Sequence, residues 1–348
     1  MKLKVIGTVI IVVLVAVFYF NYDGKPMSAT MLDSTKLPVL GKASEIRGIS
    51  GWLNSEPLTL ESLKGKVVLA DFWTYSCINC IRTIPHVEGW YKKYKDNNFV
   101  ILGIHAPEFD FEKDKKNVEL AIQKYGITYP VALDNDHKTW NAFNNRYWPA
   151  HYLIDVDGNI RYQHFGEGRY AETENSIQKL LLEAGLLTVD KVVQVVEPPA
   201  GADFSGIGTP EIYLGYLRIN NVGNMDEKVP TEKPFTFAEP ATIEKNKFYF
   251  SGTWKIGPEF AEYVGKKGET GKLIIHYKAS KAHMVLATSN DGVVFEVDLV
   301  LDGKPIGSMK IVESKLYTLV DTLDNYDWHV LEIIIKTPGL QAFSFTFG

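Results

Sequence analysis

The chain has 348 residues, 45% of them hydrophobic and 23% charged, with a net charge of −5 at pH 7. That balance describes ordinary globular material and gives no electrostatic case for binding nucleic acid. The length fits two domains.

Lys2 and Lys4 precede an uncharged apolar stretch from Val5 to Phe20, close to the roughly 18 residues of a minimal membrane span. Tyr19-Phe20-Asn21-Tyr22 is bulky where a small-x-small cleavage site would follow, and no cysteine stands there for lipidation. An uncleaved anchor over residues 1–22 is expected, with cleavage after the Met27-Ser28-Ala29 region as the alternative. The lysines on the N-terminal side put the N-terminus in the cytoplasm and the bulk of the chain outside it. Residues 23–44 are mixed and polar, with Gly24, Pro26, Pro38 and Gly41, and read as a stalk.

From 45 to 187 strand-like and helix-like segments alternate, which predicts an α/β sheet layered with helices. The strand candidates are Lys66–Phe72, Phe99–His105, His151–Asp155 and Ile160–Phe165. Helices are predicted after Cys77, over Phe111–Tyr125 and over Glu172–Ala184, the last ending at Gly185. A breaker-rich linker follows over 188–210, including Glu197-Pro198-Pro199-Ala200-Gly201. Over 211–348 the texture changes to short alternating strands with the hairpin signals Asn290-Asp291-Gly292 and Asp302-Gly303. The strands are Lys272–Tyr277, His283–Thr288, Val293–Leu301, His329–Lys336 and Gln341–Phe347, which together predict an all-β sandwich. In Val293–Leu301 the alternation puts Phe295, Val297, Leu299 and Leu301 on one face with Glu296 and Asp298 on the other.

Both cysteines of the chain, Cys77 and Cys80, stand three apart, just after the apolar run Val67-Val68-Leu69-Ala70 and Asp71-Phe72-Trp73. A strand that ends in C-x-x-C and opens into a helix puts the first thiol at a helix N-terminus, where free N–H groups and the macrodipole favour a thiolate. The alternatives are a zinc half-site and a structural disulfide. No second C-x-x-C or H-x₃₋₅-H pair exists to complete four zinc ligands. A bridge across so short a loop removes little entropy from the unfolded chain, so it would stabilise little. Outside the cytoplasm cysteines usually serve structure, yet this chain keeps both for one motif. No metal or other cofactor is expected beyond the Cys77–Cys80 pair itself.

Asp71-Phe72-Trp73 followed by Cys77-x-x-Cys80, Pro85, and Trp148-Pro149-Ala150 before a strand resembles the thioredoxin superfamily, and within it the membrane-tethered TlpA-like and DipZ-type proteins. The resemblance extends through Gly51-Trp52-Leu53-Asn54, His105-Ala106-Pro107-Glu108-Phe109 and Phe165-Gly166-Glu167-Gly168. Past the linker it continues in Tyr213-Leu214-Gly215-Tyr216, Leu301-Asp302-Gly303-Lys304-Pro305 and the terminal Phe343 to Gly348. It implies a thioredoxin-like α/β domain followed by a β-sandwich of the carbohydrate-binding-module or jelly-roll kind, with one N-terminal transmembrane helix. DipZ-type proteins carry a multi-helix CcdA-like electron-conducting domain ahead of these modules. A single apolar segment stands here instead, so a separate membrane donor of the CcdA type is the implied electron source.

The same resemblance assigns Cys77 as the attacking thiolate, Cys80 as the resolving thiol, Asp71 as the proton acceptor or relay for Cys80, and Pro149 as a cis-proline facing the pair. Trp73 would pack beneath the motif, and Ser76 and Tyr75 would lie on the approach surface with Trp148. TlpA-like proteins often place a glutamate where Thr83 stands, so that proton route is not available. His105 and Glu108 end the strand beside the motif, where ligands gather in open α/β sheets. His105 is read equally as a helper for a thiol and as a satisfied histidine, and Glu167 as a turn residue.

These residues lead to an anchored extracytoplasmic thiol-disulfide oxidoreductase that reduces or rearranges disulfides of exported proteins, with cytochrome c maturation or oxidative-stress defence as settings. A peroxidase is the second reading, since Thr74-x-x-Cys77 echoes the T-x-x-C of peroxiredoxins, although Ala70 stands where those proteins have proline. A glycan- or wall-binding protein on a thioredoxin-like scaffold is the third. The sandwich is rich in aromatics, among them Tyr249, Trp254, Tyr277 and Trp328, and is expected to bind a glycan or dock a protein without being needed for the redox step.

Overall fold

The structure, a computed structural model, describes residues 36–198, 201–226, 229–288 and 293–348. The expected anchor over 1–22, most of the stalk and the Asn290-Asp291-Gly292 turn lie outside the described residues. Among the described residues no helix is long and apolar enough to cross a membrane.

The first domain is built on a seven-stranded sheet in the order β1-β7-β6-β3-β4-β5-β2. The strands are β1 (Gly41–Lys42), β2 (Gly51–Leu53), β3 (Val67–Trp73), β4 (Phe99–His105), β5 (Val131–Leu133), β6 (Ala150–Ile154) and β7 (Asn159–Phe165). Helices α1 (Ile78–Tyr94), α2 (Lys115–Tyr125), α3 (Lys138–Ala142) and α4 (Tyr170–Glu183) accompany them. β3 pairs in parallel with β4 and antiparallel with β6. Because successive side chains alternate across a strand, Val67, Leu69 and Trp73 join one core with Cys80, Ile84 and Val87, while Val68, Ala70 and Phe72 join another. That is why Val67–Ala70 reads as an unbroken apolar run. The same alternation puts Asp71 on the face where Cys80 sits.

Two expectations are corrected at the ends of this domain. The stalk was expected to run to residue 44, yet Gly41 and Lys42 pair with Ile160 and Asn159 as an edge strand, and two residues are too few to leave an alternation signal. The stretch Phe111–Tyr125 is not one helix. A 3-10 turn over Asp110–Lys113 precedes α2, and Asp114 between them caps α2 by accepting the Lys116 N–H at 2.9 Å. The linker, breaker-rich as it is, is tied down. Gln178 on α4 exchanges two hydrogen bonds with the Val193 backbone. The Glu197 carboxylate accepts the N–H groups of Tyr170 and Ala171 at 2.9 and 2.7 Å, satisfying donors that a helix start leaves orphaned.

The second domain has strands β8 (Ile212–Tyr213), β9 (Pro234–Phe237), β10 (Phe248–Ile256), β11 (Ala261–Tyr263), β12 (Gly271–Lys278), β13 (Lys281–Thr288), β14 (Phe295–Leu301), β15 (Lys304–Ile311), β16 (Lys315–Asp321), β17 (Trp328–Ile335) and β18 (Leu340–Phe347). β10 belongs to two sheets. Its first half, Phe248–Ser251, pairs with β12 and continues the order β15-β14-β17-β12. Its second half pairs with β9 and β11, and β11 leads on to β18, β13 and β16. The two sheets enclose a core that includes Phe248, Phe250, Trp254, Leu273, Val297 and Phe345. The switch falls at Gly252, whose φ of +85° suits glycine and whose Cβ, if present, would stand 2.8 Å from the Thr270 carbonyl oxygen. Phe295, Val297 and Leu299 point into the core as the alternation required, and Asp302-Gly303, both at positive φ, make the β14–β15 hairpin.

Gly252→Ala is expected to lower stability by about 1–2 kcal/mol from the left-handed backbone alone, with the Thr270 clash adding to it. Urea unfolding checks this, and a midpoint equal to that of the native protein would remove Gly252 as the hinge of the two sheets.

Candidate active site

Cys77 is the N-cap of α1, and its Sγ accepts the Cys80 N–H at 3.3 Å, the one amide a helix start aims at its cap. Cys77 is half-buried, whereas Cys80 lies one turn in and is 1% exposed. Burial first, and then the neighbouring Cys77 sulfur, hold the Cys80 thiol protonated well above the ordinary thiol range. One sulfur is therefore presented and the other withheld.

Asp71 adds its negative charge to the forces that keep Cys80 protonated. It is 2% exposed, and its Oδ1 stands 3.2 Å from Nε2 of His151, which faces it across the β3–β6 register, although the contact is off hydrogen-bond geometry. His151 carried no motif and went unremarked in the sequence. Trp73 is buried on the same face and packs against Gly103, whose absent Cβ leaves room for the indole. The Trp148–Pro149 bond is cis, and Trp148 lines the cleft at Cys77 while its Nε1 donates to the Ala106 carbonyl at 3.0 Å.

His105 turns away from the redox pair. It is fully buried, edge-on to Trp73 and stacked on Tyr75, with Nε2 3.4 Å from Thr74 Oγ1. Burial, with His137 nearby, pushes its pKa down to about 3, so it stays neutral and serves packing, the blander of its two readings. Tyr75 is buried with it, against the expectation that it lies on the approach surface. Glu167 is held by Arg82, whose Nε donates to it at 2.8 Å while Nη2 donates to Asn79 inside the motif at 2.7 Å.

The residue that sequence reasoning missed most plainly is Glu112. Its carboxylate is wholly buried and accepts the Ser76 N–H and Oγ–H at 3.2 and 2.6 Å on one oxygen and the N–H groups of Glu108 and Phe109 at 2.6 and 3.0 Å on the other. It clamps the loop entering Cys77 to the loop leaving β4. Burial pushes its pKa up to about 7, against the pull of the Ser76 hydrogen bond. A glutamate three residues after Phe109, the residue that caps the 3-10 turn, was the available signal, since such a side chain reaches back to backbone donors.

The cleft over Cys77 holds about 90 Å³ and is shared between domains. The first domain supplies Ser76, Cys77, Ile78, Asn79, Glu108 and Trp148. The second supplies Glu211, Tyr213, Val285, Ser344 and Thr346. Glu108 fastens the two, its Oε1 accepting from Tyr213 Oη at 2.8 Å and Arg218 Nη1 at 2.7 Å. An apolar cluster of Phe109, Val285, Ala287 and Phe343 closes the joint beside it. The sandwich was expected to stand apart from the redox step, yet it forms one wall of the cleft, a long-range contact no local pattern announces. Among the described residues no group of three or more His, Cys, Asp or Glu is placed to hold a metal ion.

Residues 50–163 match the AhpC/TSA family and residues 209–348 match the thioredoxin like C-terminal domain family. Thiol-disulfide oxidoreductase YkuV of Bacillus subtilis is 33% identical over 140 residues, 40% of this chain and 93% of that protein. The chain belongs to the thioredoxin-like thiol-disulfide oxidoreductases. Thiol-disulfide oxidoreductase ResA of Bacillus thuringiensis is 30% identical over 128 residues, 37% of this chain and 71% of that protein. Protein DipZ of Mycobacterium tuberculosis is 37% identical over 337 residues, 94% of this chain but 46% of DipZ, so the chain spans about half the length of that relative. In this oxidoreductase the likeness to DipZ spans both domains.

A raised folded pKa means that Glu112 binds its proton more tightly in the native state, so its contribution to stability is full below about 4.5 and is lost as pH rises through about 7. Glu112→Gln removes that titration. Between pH 4.5 and 7 the difference in urea midpoint between the two proteins is expected to move in favour of the glutamine variant, and a difference that stays constant would show that Glu112 does not titrate there.

Proposed function

We propose that this oxidoreductase is tethered to the cytoplasmic membrane by residues 1–22, works on its outer side, and reduces or rearranges disulfides of exported proteins. The observation that carries the redox part is the asymmetry of the pair: Cys77 at a helix N-terminus facing the cleft, Cys80 buried and protonated behind it. Lys2 and Lys4 ahead of Val5 to Phe20 support the tether and its orientation.

In the reductive direction Cys77 Sγ attacks one sulfur of the substrate disulfide and the other sulfur leaves. Cys80 then attacks Cys77 Sγ, releasing the second substrate thiol and leaving the Cys77–Cys80 disulfide. Cys80 must give up its proton for that second step, and Asp71 on the same face of β3 is the proposed acceptor. A membrane donor of the CcdA type would return two electrons to the pair. The small volume of the cleft, about 90 Å³, suits a single extended segment carrying a cysteine.

The peroxidase reading draws no support from Thr74, which is buried against His105 and does not line the cleft. For the sandwich, Trp254 and Tyr277 point into its core, Tyr249 is buried on the other face of β10 against Gly223, and Trp328 is half-buried beside His276 and Lys245. A wall of the redox cleft is therefore the role we favour over a sugar platform.

Cys77→Ala is expected to abolish insulin reduction by a chain lacking residues 1–22, and Cys80→Ala to accumulate mixed disulfides with exported proteins. Undiminished reduction by Cys77→Ala would overturn the mechanism. Equilibration with thiol–disulfide buffers should place the pair near the roughly −270 mV of thioredoxin, whereas a value toward about −120 mV would make it an oxidant.

A further inference from the structure

Cys77 and Cys80 supply the electrons of disulfide reduction, but each departing sulfur also needs a proton. An alkyl thiol, with a pKa near 8.5, leaves as an anion that ends protonated at neutral pH, and an acid beside it can supply that proton in the departure itself. The usual candidate around Cys80, Asp71, is behind the pair, not on the side where a substrate sulfur departs.

On the open side stands Glu211, in the wall supplied by the second domain. Glu211 and Cys77 line the same cleft of about 90 Å³, so a substrate sulfur bonded to Cys77 shares that space with Glu211. Glu211 is solvent-exposed at the rim of the cleft, with protein groups packed around its carboxyl. The groups that face it are Glu108, Tyr213 and Arg218, with Cys77 across the gap. Tyr213 Oη and Arg218 Nη1 both donate to the same oxygen of Glu108, with Tyr213 also within hydrogen-bonding reach of Glu211, so the cation next to the cleft compensates Glu108 first. We propose that Glu211 is the general acid that protonates the sulfur leaving when Cys77 attacks a substrate disulfide.

The surroundings suit the task. Burial and the Glu108 charge push the Glu211 pKa up to about 7, against the smaller effects of Tyr213 and Arg218, and an acid poised near the working pH is effective for proton transfer. The step balances. The Cys77 thiolate forms a bond to one sulfur of R–S–S–R′, the S–S bond breaks, and R′–S⁻ takes the Glu211 proton as R′SH. Cys80, its proton passed to Asp71, then attacks Cys77; R–S⁻ departs and takes a proton from solvent, Asp71 returns its proton to solvent, and Glu211 is recharged from solvent. Two electrons pass from the dithiol to the substrate. In the reverse direction the Glu211 carboxylate accepts a proton from the attacking thiol.

This inference rests on the thiol-disulfide reading, and the test keeps the two apart. The protein is reduced with dithiothreitol, freed of it, and followed in single turnover with two disulfides. Bis(2-hydroxyethyl) disulfide releases an alkyl thiol that needs a proton, whereas 5,5′-dithiobis(2-nitrobenzoate) releases a stable aromatic thiolate that does not. Glu211→Gln is expected to slow the first about tenfold or more at pH 6 and not to slow the second, with Glu211→Asp recovering part of the loss. The native fall in rate with the alkyl disulfide above pH 7 is expected to be absent from Glu211→Gln. Equal slowing of both disulfides would make Glu211 a structural residue and overturn the proposal, as would no slowing of either. A native protein inert toward both, like the Cys77→Ala control, would instead overturn the redox reading beneath it.

Discussion

The contact between Phe109 and Phe343, with ring centroids 5.0 Å apart, is what makes a cleft of the space above Cys77. Phe109 follows β4 in the first domain and Phe343 lies in the last strand of the second. Strict alternation along β18 would send Phe343 to the same side as Phe345 and Phe347, into the sandwich core. The register between β13 and β18 shifts at this point: Val285 pairs with Ser344 and Leu286 with Ala342, leaving Phe343 as the extra residue. A bulge of this kind re-aims a side chain. Phe343 consequently reaches Phe109, Phe111 and Phe260, while Ser344 and Thr346 turn to the cleft. One irregular residue thus lets a regular β-sandwich present both an apolar anchor and a polar wall to its neighbour.

Charge finishes what the apolar joint begins. Glu108 and Glu112 stand on one short loop and do opposite work. Glu112 points inward, where burial raises its pKa, and its four backbone and hydroxyl donors fix the Ser76 loop on which Cys77 depends. Glu108 points outward and takes Tyr213 and Arg218 from the sandwich. Arg218 also lies over the faces of Phe109 and Tyr213 at 5.1 and 4.0 Å, so the same cation seals the aromatic joint and neutralises the glutamate beside it. Moving either domain would break ionic and aromatic contacts together, which argues for one rigid unit around the thiols rather than two modules on a string.

What the sequence disclosed follows the range of the interactions. Strands β3, β4 and β7 were legible because burial leaves its mark in consecutive residues, and Cys77, Cys80 and Asp71 because their spacing and strand phase are local. β1 and β2 were missed, at two and three residues long. β10 was missed because a strand that changes sheets at Gly252 changes which face is inside, and its pattern Phe248-Tyr249-Phe250 has no single period. Glu112 left a faint local trace. His151, Glu211 and Arg218 left none, since each acquires its role from a partner far away in the chain, and the linker looked free because Glu197 gives no sign that it will cap α4.

The second domain's position bears on which disulfides can react. A thiolate at an open helix N-terminus is reachable from a wide cone, and any exposed disulfide can meet it. Here Trp148 stands on one side of Cys77, and Tyr213 and Thr346 on the other, so a sulfur must arrive on a chain thin enough to pass between domains. Protein packed around the gap also strengthens the influence of each neighbouring charge on the proton inventory of the step. The constraint that joins the domains therefore sets both the shape of the admitted substrate and the electrostatics it meets on arrival.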